Sequence, residues 1–220
     1  MVAEKLRSWG IAPCLGVLIA SCASSPSTEF FALVPVEAHA RAASAVSGPL
    51  APQPTPDQGA APAAPGAAAP PADTPVRVAA VHIAPALDRL QIVRESAPGR
   101  IEIASRQRWD APLDEMLRTV LTQDLLRRLP GRRVLLPQQP APAATQEIVL
   151  DVLHFAADAA GTVRLSGSWT LLKSGTDAPV SSERVELTDT ASPNDYAGQA
   201  LAMSRLVGQL ADAIAARLGG

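Results

Sequence analysis

Cysteine, lysine and histidine are scarce in this chain, and each scarcity argues against a class of protein. The 220 residues include two cysteines, Cys14 and Cys22, so no disulfide framework can hold a fold together. The two lysines and a formal net charge of −2 give no basic footprint for nucleic acid. The three histidines, His39, His82 and His154, do not stand at the spacing of metal ligands. A folded domain in this chain must therefore depend on packing alone.

The first 21 residues have the organisation of a bacterial signal peptide. Lys5 and Arg7 precede an apolar run over 11–20, IAPCLGVLIA. This run is too short to cross a hydrocarbon layer of about 30 Å, and Pro13 interrupts it. We therefore predict a cleaved signal peptide over residues 1–21, not a transmembrane helix.

The signal ends in Ile19-Ala20-Ser21-Cys22, which resembles a lipobox. This motif predicts cleavage between Ser21 and Cys22, acylation of Cys22 with chains such as palmitate, and stable membrane attachment. Ala23, in place of Asp, favours the outer membrane under enteric-type sorting. The Ser- and Pro-containing residues 22–28 then form a lipidated tether. The alternatives are an ordinary secretory signal that happens to contain Cys22, or a buried N-terminal helix.

A composition change separates the N-terminal region from the main domain. Residues 36–75 consist mostly of Ala, Pro, Gly, Ser and Gln, and such a segment cannot bury enough surface to order itself. The apolar run before it, FFALVP, predicts a first strand over 29–35. The segment 36–75 would then be a disordered insertion between the first two strands. The alternative for 29–35 is a sticky but unstructured segment.

Residues 76–220 are long enough for one domain with a substantial core. Alternating or apolar runs predict strands near residues 76–83, 90–94, 101–104, 133–136, 147–155, 162–172 and 180–187. Val163, Leu165, Trp169 and Leu171 share one strand face, and Gly167 between them indicates a bulge or a tight packing contact.

Two helices complete the predicted domain. The first begins near Asp110, a candidate N-cap, with Pro112 in an early helical position. The second follows Ser192-Pro193 and carries an apolar stripe, which either docks on the sheet or faces a partner. The predicted class is α+β, with two amphipathic helices packed on one face of a mainly antiparallel sheet.

No set of residues in the sequence has the pattern of a catalytic site. Nucleophile-elbow and phosphate-loop motifs are missing, and acidic residues at the first helix start suit the helix dipole. We predict no catalytic, cofactor-binding or metal-binding residues. Trp109 and Trp169 are candidate anchors of the core or of an interface.

The segments Leu87-Asp88-Arg89-Leu90-Gln91-Ile92-Val93 and Arg106-Gln107-Arg108-Trp109-Asp110-Ala111-Pro112-Leu113-Asp114 resemble the PqiC/YmbA family of lipoproteins. A lipidated Cys followed by an aromatic strand, the motif Gly167-Ser168-Trp169 and a final helix after Tyr196 extend the resemblance over nearly the whole mature chain. Leu90 departs from the family, which often has Pro at that position.

The resemblance implies a non-enzymatic lipoprotein, held in the outer membrane and facing the periplasm. Its expected partners are an MCE-domain, PqiB-like tube-forming protein and a PqiA-like membrane protein of an intermembrane lipid transport system. Family members can form homo-oligomeric rings that would let such a tube dock. The competing hypotheses are an envelope-integrity or assembly lipoprotein without a transport role and, less favoured, a periplasmic enzyme.

Overall fold

The computed structural model describes residues 27–36, 74–173 and 179–219. Their strands are β1 (Glu29–Phe31), β2 (Val76–Ile83), β3 (Gln91–Ala97), β4 (Arg100–Trp109), β5 (Val134–Leu135), β6 (Gln146–Asp158), β7 (Thr162–Lys173) and β8 (Pro179–Thr190). The helices are α1 (Leu113–Arg128) and α2 (Tyr196–Gly219). The predicted signal peptide and most of the predicted insertion lie outside the described residues.

The long strand β6 is the centre of one mixed sheet. On one side it pairs with β2 over most of its length and with β3 at its end; on the other side it pairs with β7, which pairs with β8. The pairs β1/β4, β2/β5, β2/β6 and β3/β6 are parallel, whereas β3/β4, β6/β7 and β7/β8 are antiparallel. The prediction of a mainly antiparallel sheet is therefore wrong.

The parallel pairs that β2 and β3 make with later strands have a topological cause. The chain leaves β4 through α1 before it returns to the sheet as β5 and β6, so a helix intervenes between β2 or β3 and their partner β6. Such a crossover lets a strand enter a sheet in the direction of its neighbour. Turn signals in the sequence identify hairpins, but they do not reveal which distant strands pair after a crossover.

Both helices pack on the same face of the sheet, as predicted. α1 contacts α2 and β2, and α2 contacts β7 and β8. The stripe of α2 is buried at Ala200, Met203, Val207, Leu210, Ile214 and Leu218, so it docks within the domain. Trp169 is 1% exposed and joins Val163, Leu165 and Leu171 in the core, where Trp109 is also buried.

The start of α1 differs from the prediction. Pro112 is the N-cap residue and no side chain caps the helix, whereas Asp110 is exposed and its backbone N–H donates to the Phe31 carbonyl oxygen at 2.9 Å. Asp110 thus fixes the end of β1 and does not cap α1. Asp114 and Glu115 lie in the first turn, where their negative charges interact favourably with the positive end of the helix dipole.

Candidate anchoring and interaction surface

The first strand is shorter than predicted, and the residues after it pack on the helices instead of continuing the strand. β1 ends at Phe31, and residues 32–36, which we call the N-terminal strap, leave the sheet and run onto the helices. Leu33 is buried in the core. The Val34 backbone N–H donates to the Ser204 hydroxyl of α2 at 3.0 Å. The strap therefore joins the N-terminal end of the described chain to the helical layer.

A charged cluster holds the end of the strap. The Val36 backbone N–H donates to Asp124 Oδ1 of α1 at 3.1 Å, and the Arg127 and Arg128 guanidinium groups each donate to the Val36 carbonyl oxygen at 3.3 Å. Arg128 also contacts Asp212 of α2, with Nε to Oδ1 at 2.6 Å. Both polar groups of the Val36 backbone are thus bound by side chains, so this cluster replaces the hydrogen bonds of a strand.

Asp124 is fully buried within this cluster. Burial raises the pKa of its carboxyl group, and the nearby charges of Arg128 and Arg127 and the Val36 N–H only partly oppose that effect. Its Oδ2 atom has no hydrogen-bond partner. Burying a carboxylate with one unpartnered oxygen costs free energy. The hydrogen bonds that Asp124 makes to the strap and the arginines offset part of that cost, so losing them should destabilise the fold.

Small residues of α2 provide the space for the strap. A Cβ atom added at Gly208 would lie 3.3 Å from Arg128 Nη2 and 3.4 Å from the Val36 Cβ. Ala200, Ser204 and Gly208 recur at intervals of four on this helix, which places them on one face. Sequence reasoning missed this site, although the spacing of small residues and a carboxylate within the apolar stripe of α1 were available signals.

A second group of contacts surrounds the point where β1 meets α2. The rings of Phe31 and Tyr196 lie 6.4 Å apart, and the Arg94 guanidinium lies 5.3 Å from the centre of the Tyr196 ring. Arg94 is buried and donates to Asn194 Oδ1 at 3.3 Å. An open pocket of about 700 Å³ borders this group and is lined by Glu29, Phe30, Gln107 and Asp195 as well as the two rings.

The exposed face of the sheet has a row of polar residues with the composition of a Ser-His-Asp triad but not its geometry. His82 Nδ1 lies 2.9 Å from Asp151 Oδ1, and Ser168 is the register partner of Asp151 on the next strand. Asp151 lies between the other two, so the serine and the histidine are two strands apart, about 10 Å. A nucleophile must contact its base directly, so this row does not form a Ser-His-Asp triad.

The remaining predicted sites are placed as follows. Ser21 and Cys22 lie outside the described residues, as does His39. His154 is half-buried on β6, and among residues 27–36, 74–173 and 179–219 no group of potential ligands could hold a metal ion. In the same ranges, neither helix is long and apolar enough to cross a membrane.

The chain belongs to the family of ABC-type transport auxiliary lipoprotein components, whose model matches residues 58–215. This match confirms the PqiC/YmbA resemblance and places the chain in a family of transport auxiliary lipoproteins. It also supports a membrane-anchored location. A comparison with curated proteins gives no significant match.

Two solved structures share the fold. A crystal structure of an uncharacterised protein superposes with a TM-score of 0.65 at 19% identity, covering 88% of this chain and 99% of its own. A protein from Xanthomonas campestris superposes with a TM-score of 0.56 at 20% identity, covering 69% of this chain and 87% of its own. At these identities the likeness establishes the fold alone.

Proposed function

We propose that this protein is a lipoprotein of the outer membrane that faces the periplasm and docks an MCE-type intermembrane lipid transport system. The family match to transport auxiliary lipoproteins supports a role beside a transporter. The PqiB-like MCE protein and the PqiA-like membrane protein are the partners that the resemblance implies. A homo-oligomeric ring of this chain would give a tube-forming partner a symmetric docking platform.

The observation that carries the proposal is the strap. Cys22 precedes Glu29, the first residue of β1, by seven positions, which span at most about 25 Å. The strap then fixes this end of the chain to both helices through Ser204 and Asp124. An acylated Cys22 would therefore hold the domain itself close to the membrane surface. That arrangement suits a docking component.

Affinity purification from crosslinked envelopes tests the proposal. The protein is expressed with a C-terminal tag in a strain whose genome encodes an MCE protein next to the gene for this chain. Another tagged outer-membrane lipoprotein serves as the control. We expect recovery of the MCE protein with this chain and not with the control. Recovery with neither would contradict the transport role and favour an envelope-integrity lipoprotein.

The anchoring part of the proposal has its own test. Replacing the acylated residue, Cys22→Ala, removes the site that the lipoprotein peptidase requires, so the precursor should stay unprocessed and unacylated. Metabolic labelling with a fatty-acid analogue measures acylation directly, and Cys14→Ala is the matched control because Cys14 lies within the predicted signal peptide. Acylation of the Cys22→Ala protein would contradict the anchor assignment.

A further inference from the structure

Phe30 stands apart from the other aromatic residues that the structure describes. Trp109, Phe155 and Trp169 are almost completely buried, and Phe31 and Tyr196 are half-buried. Phe30 is 65% exposed. A partner surface that covered this ring would gain the free energy of burying its apolar area.

The register of β1 explains why Phe30 points away from the core. Phe31 pairs with the buried Trp109, and Phe30 pairs with Arg108 one residue earlier on β4. Side chains of successive strand residues point to opposite faces, so Phe30 and Arg108 share the face opposite the Trp109 ring. Leu90, also exposed, lies at the same end of the sheet, because the Trp109 backbone N–H donates to its carbonyl oxygen at 2.7 Å.

The short distance to the anchor identifies the partner surface. Eight positions separate Cys22 from Phe30, a span of at most about 29 Å when fully extended. On the other side of β1, the Phe31 carbonyl oxygen accepts from Asp110, and the strap is bound by Ser204 and Asp124. β1 is therefore fixed to the domain, and a membrane-bound Cys22 would keep Phe30 within about 29 Å of the lipid headgroups.

We propose that Phe30 inserts into the interfacial region of the bilayer that carries the acylated Cys22, so that the β1 edge is the membrane-contacting side of the domain. This inference depends on the lipid anchor in the proposed function. Apolar side chains such as Phe bury favourably at the boundary between lipid headgroups and acyl chains. Arg108 on the same face is half-buried and Glu29 next to Phe30 is exposed, so burial of the Phe30 ring, and not charge, is the driving force of the insertion. The opposite edge strand, β8, would then face away from the membrane.

An environment-sensitive fluorophore on a single cysteine tests this orientation. Phe30→Cys is labelled with a nitrobenzoxadiazole dye in the full lipidated protein, reconstituted into phosphatidylethanolamine–phosphatidylglycerol vesicles. Cys14 would leave with the signal and the Cys22 sulfur would carry lipid, so the introduced thiol is the one available for labelling. Val180→Cys is the matched control, because Val180 is an apolar residue with 53% exposure on β8.

The expected result is a shift of the dye emission to shorter wavelength at position 30 and quenching by brominated lipid, with neither effect at position 180. If the protein binds vesicles but the dye at position 30 keeps the emission wavelength that it has in water, the proposed insertion is overturned and the lipid anchor is not. A blue shift without quenching by brominated lipid would indicate a protein surface in place of the bilayer and would also overturn it. Failure of the protein to float with the vesicles would contradict the anchor and the insertion together. Equal melting temperatures of the two variants and the unaltered protein verify that both are folded.

Discussion

The backbone N–H of Val36 donates to the buried carboxylate of Asp124, 88 positions later in the chain, at 3.1 Å. This hydrogen bond connects the strap, which follows β1, to the helical layer. The two arginines that bind the Val36 carbonyl oxygen belong to the last turn of the same helix. The end of the strap at Val36 is therefore held by side chains of α1, and Asp124 is the residue at which this contact can be tested.

Asp124→Ala should destabilise the domain by about 1–3 kcal/mol, because it leaves the Val36 N–H without its acceptor and removes one of the two carboxylates that contact the buried Arg128 side chain. Urea denaturation measures the change in the free energy of unfolding. The matched control is Gln123→Ala, at an exposed neighbouring position of α1, which should change that free energy by less than about 0.5 kcal/mol. Equal stability of the two variants would mean that the cluster contributes little.

Gly167→Ala should destabilise the domain by about 1–3 kcal/mol, as overpacking in a core does. An added Cβ at Gly167 would overlap the backbone carbonyl of Asp151, beside the register shift between Val152 and His154. This close approach confirms the predicted tight contact at Gly167. Gly131→Ala is the control, since nothing lies within 4 Å of a Cβ added there. Thermal melts of both variants decide whether the β6–β7 contact tolerates a methyl group.

The ion pair between Asp189 of β8 and Arg205 of α2, with Oδ2 to Nε at 2.6 Å, should make stability depend on pH. Burial by itself would raise the pKa of Asp189, but the hydrogen bond from Arg205, the Thr190 N–H and the arginine charge together lower it below 3.8. The folded state thus favours the ionised carboxylate. Its contribution is present above the ordinary pKa and is lost as the pH falls through the lowered pKa.

We therefore expect Asp189→Asn to be less stable than the unaltered protein near pH 7, by about 0.2–1 kcal/mol for a pair of this exposure. The difference should shrink as the pH falls below about 4. Glu186→Gln, at an exposed position of the same strand, is the control. A difference between Asp189→Asn and the unaltered protein that stays constant from pH 7 into acid would show that the charge of Asp189 is not the cause.

The parts of the fold that were predictable from the sequence are those set by local periodicity. Alternation over Val163, Leu165 and Trp169 gave the buried face of β7, and the four-residue spacing in α2 gave its buried stripe. Periodicity of this kind reflects which face of an element meets the core, so it is visible without knowing the partner.

The features that the sequence did not predict depend on distant contacts. The parallel pairing of β2 with β6 joins residues about seventy positions apart, and no local signal specifies that register. Residues 32–35 of the strap are predicted as strand because FFALVP is apolar, and Val36 is predicted as the start of the disordered insertion. Both predictions are wrong, because the backbones of Val34 and Val36 bond to helix side chains. Phe30 belongs to the same run, and only the register with β4 shows that it faces outward while Phe31 faces the core.

Trp169→Ala should be among the most damaging substitutions in the domain. The side chain is 1% exposed on β7 and belongs to the core cluster that includes residues of the sheet and both helices. Removing a buried large aromatic leaves a cavity and costs about 3–5 kcal/mol. That loss is a large share of the roughly 5–15 kcal/mol that stabilises a domain. Leu153→Ala is the control, because Leu153 is 72% exposed at the irregularity of β6.

We expect a large fall in melting temperature for Trp169→Ala and almost none for Leu153→Ala. An unchanged melting temperature for Trp169→Ala would mean that this face of β7 is not part of the stabilising core.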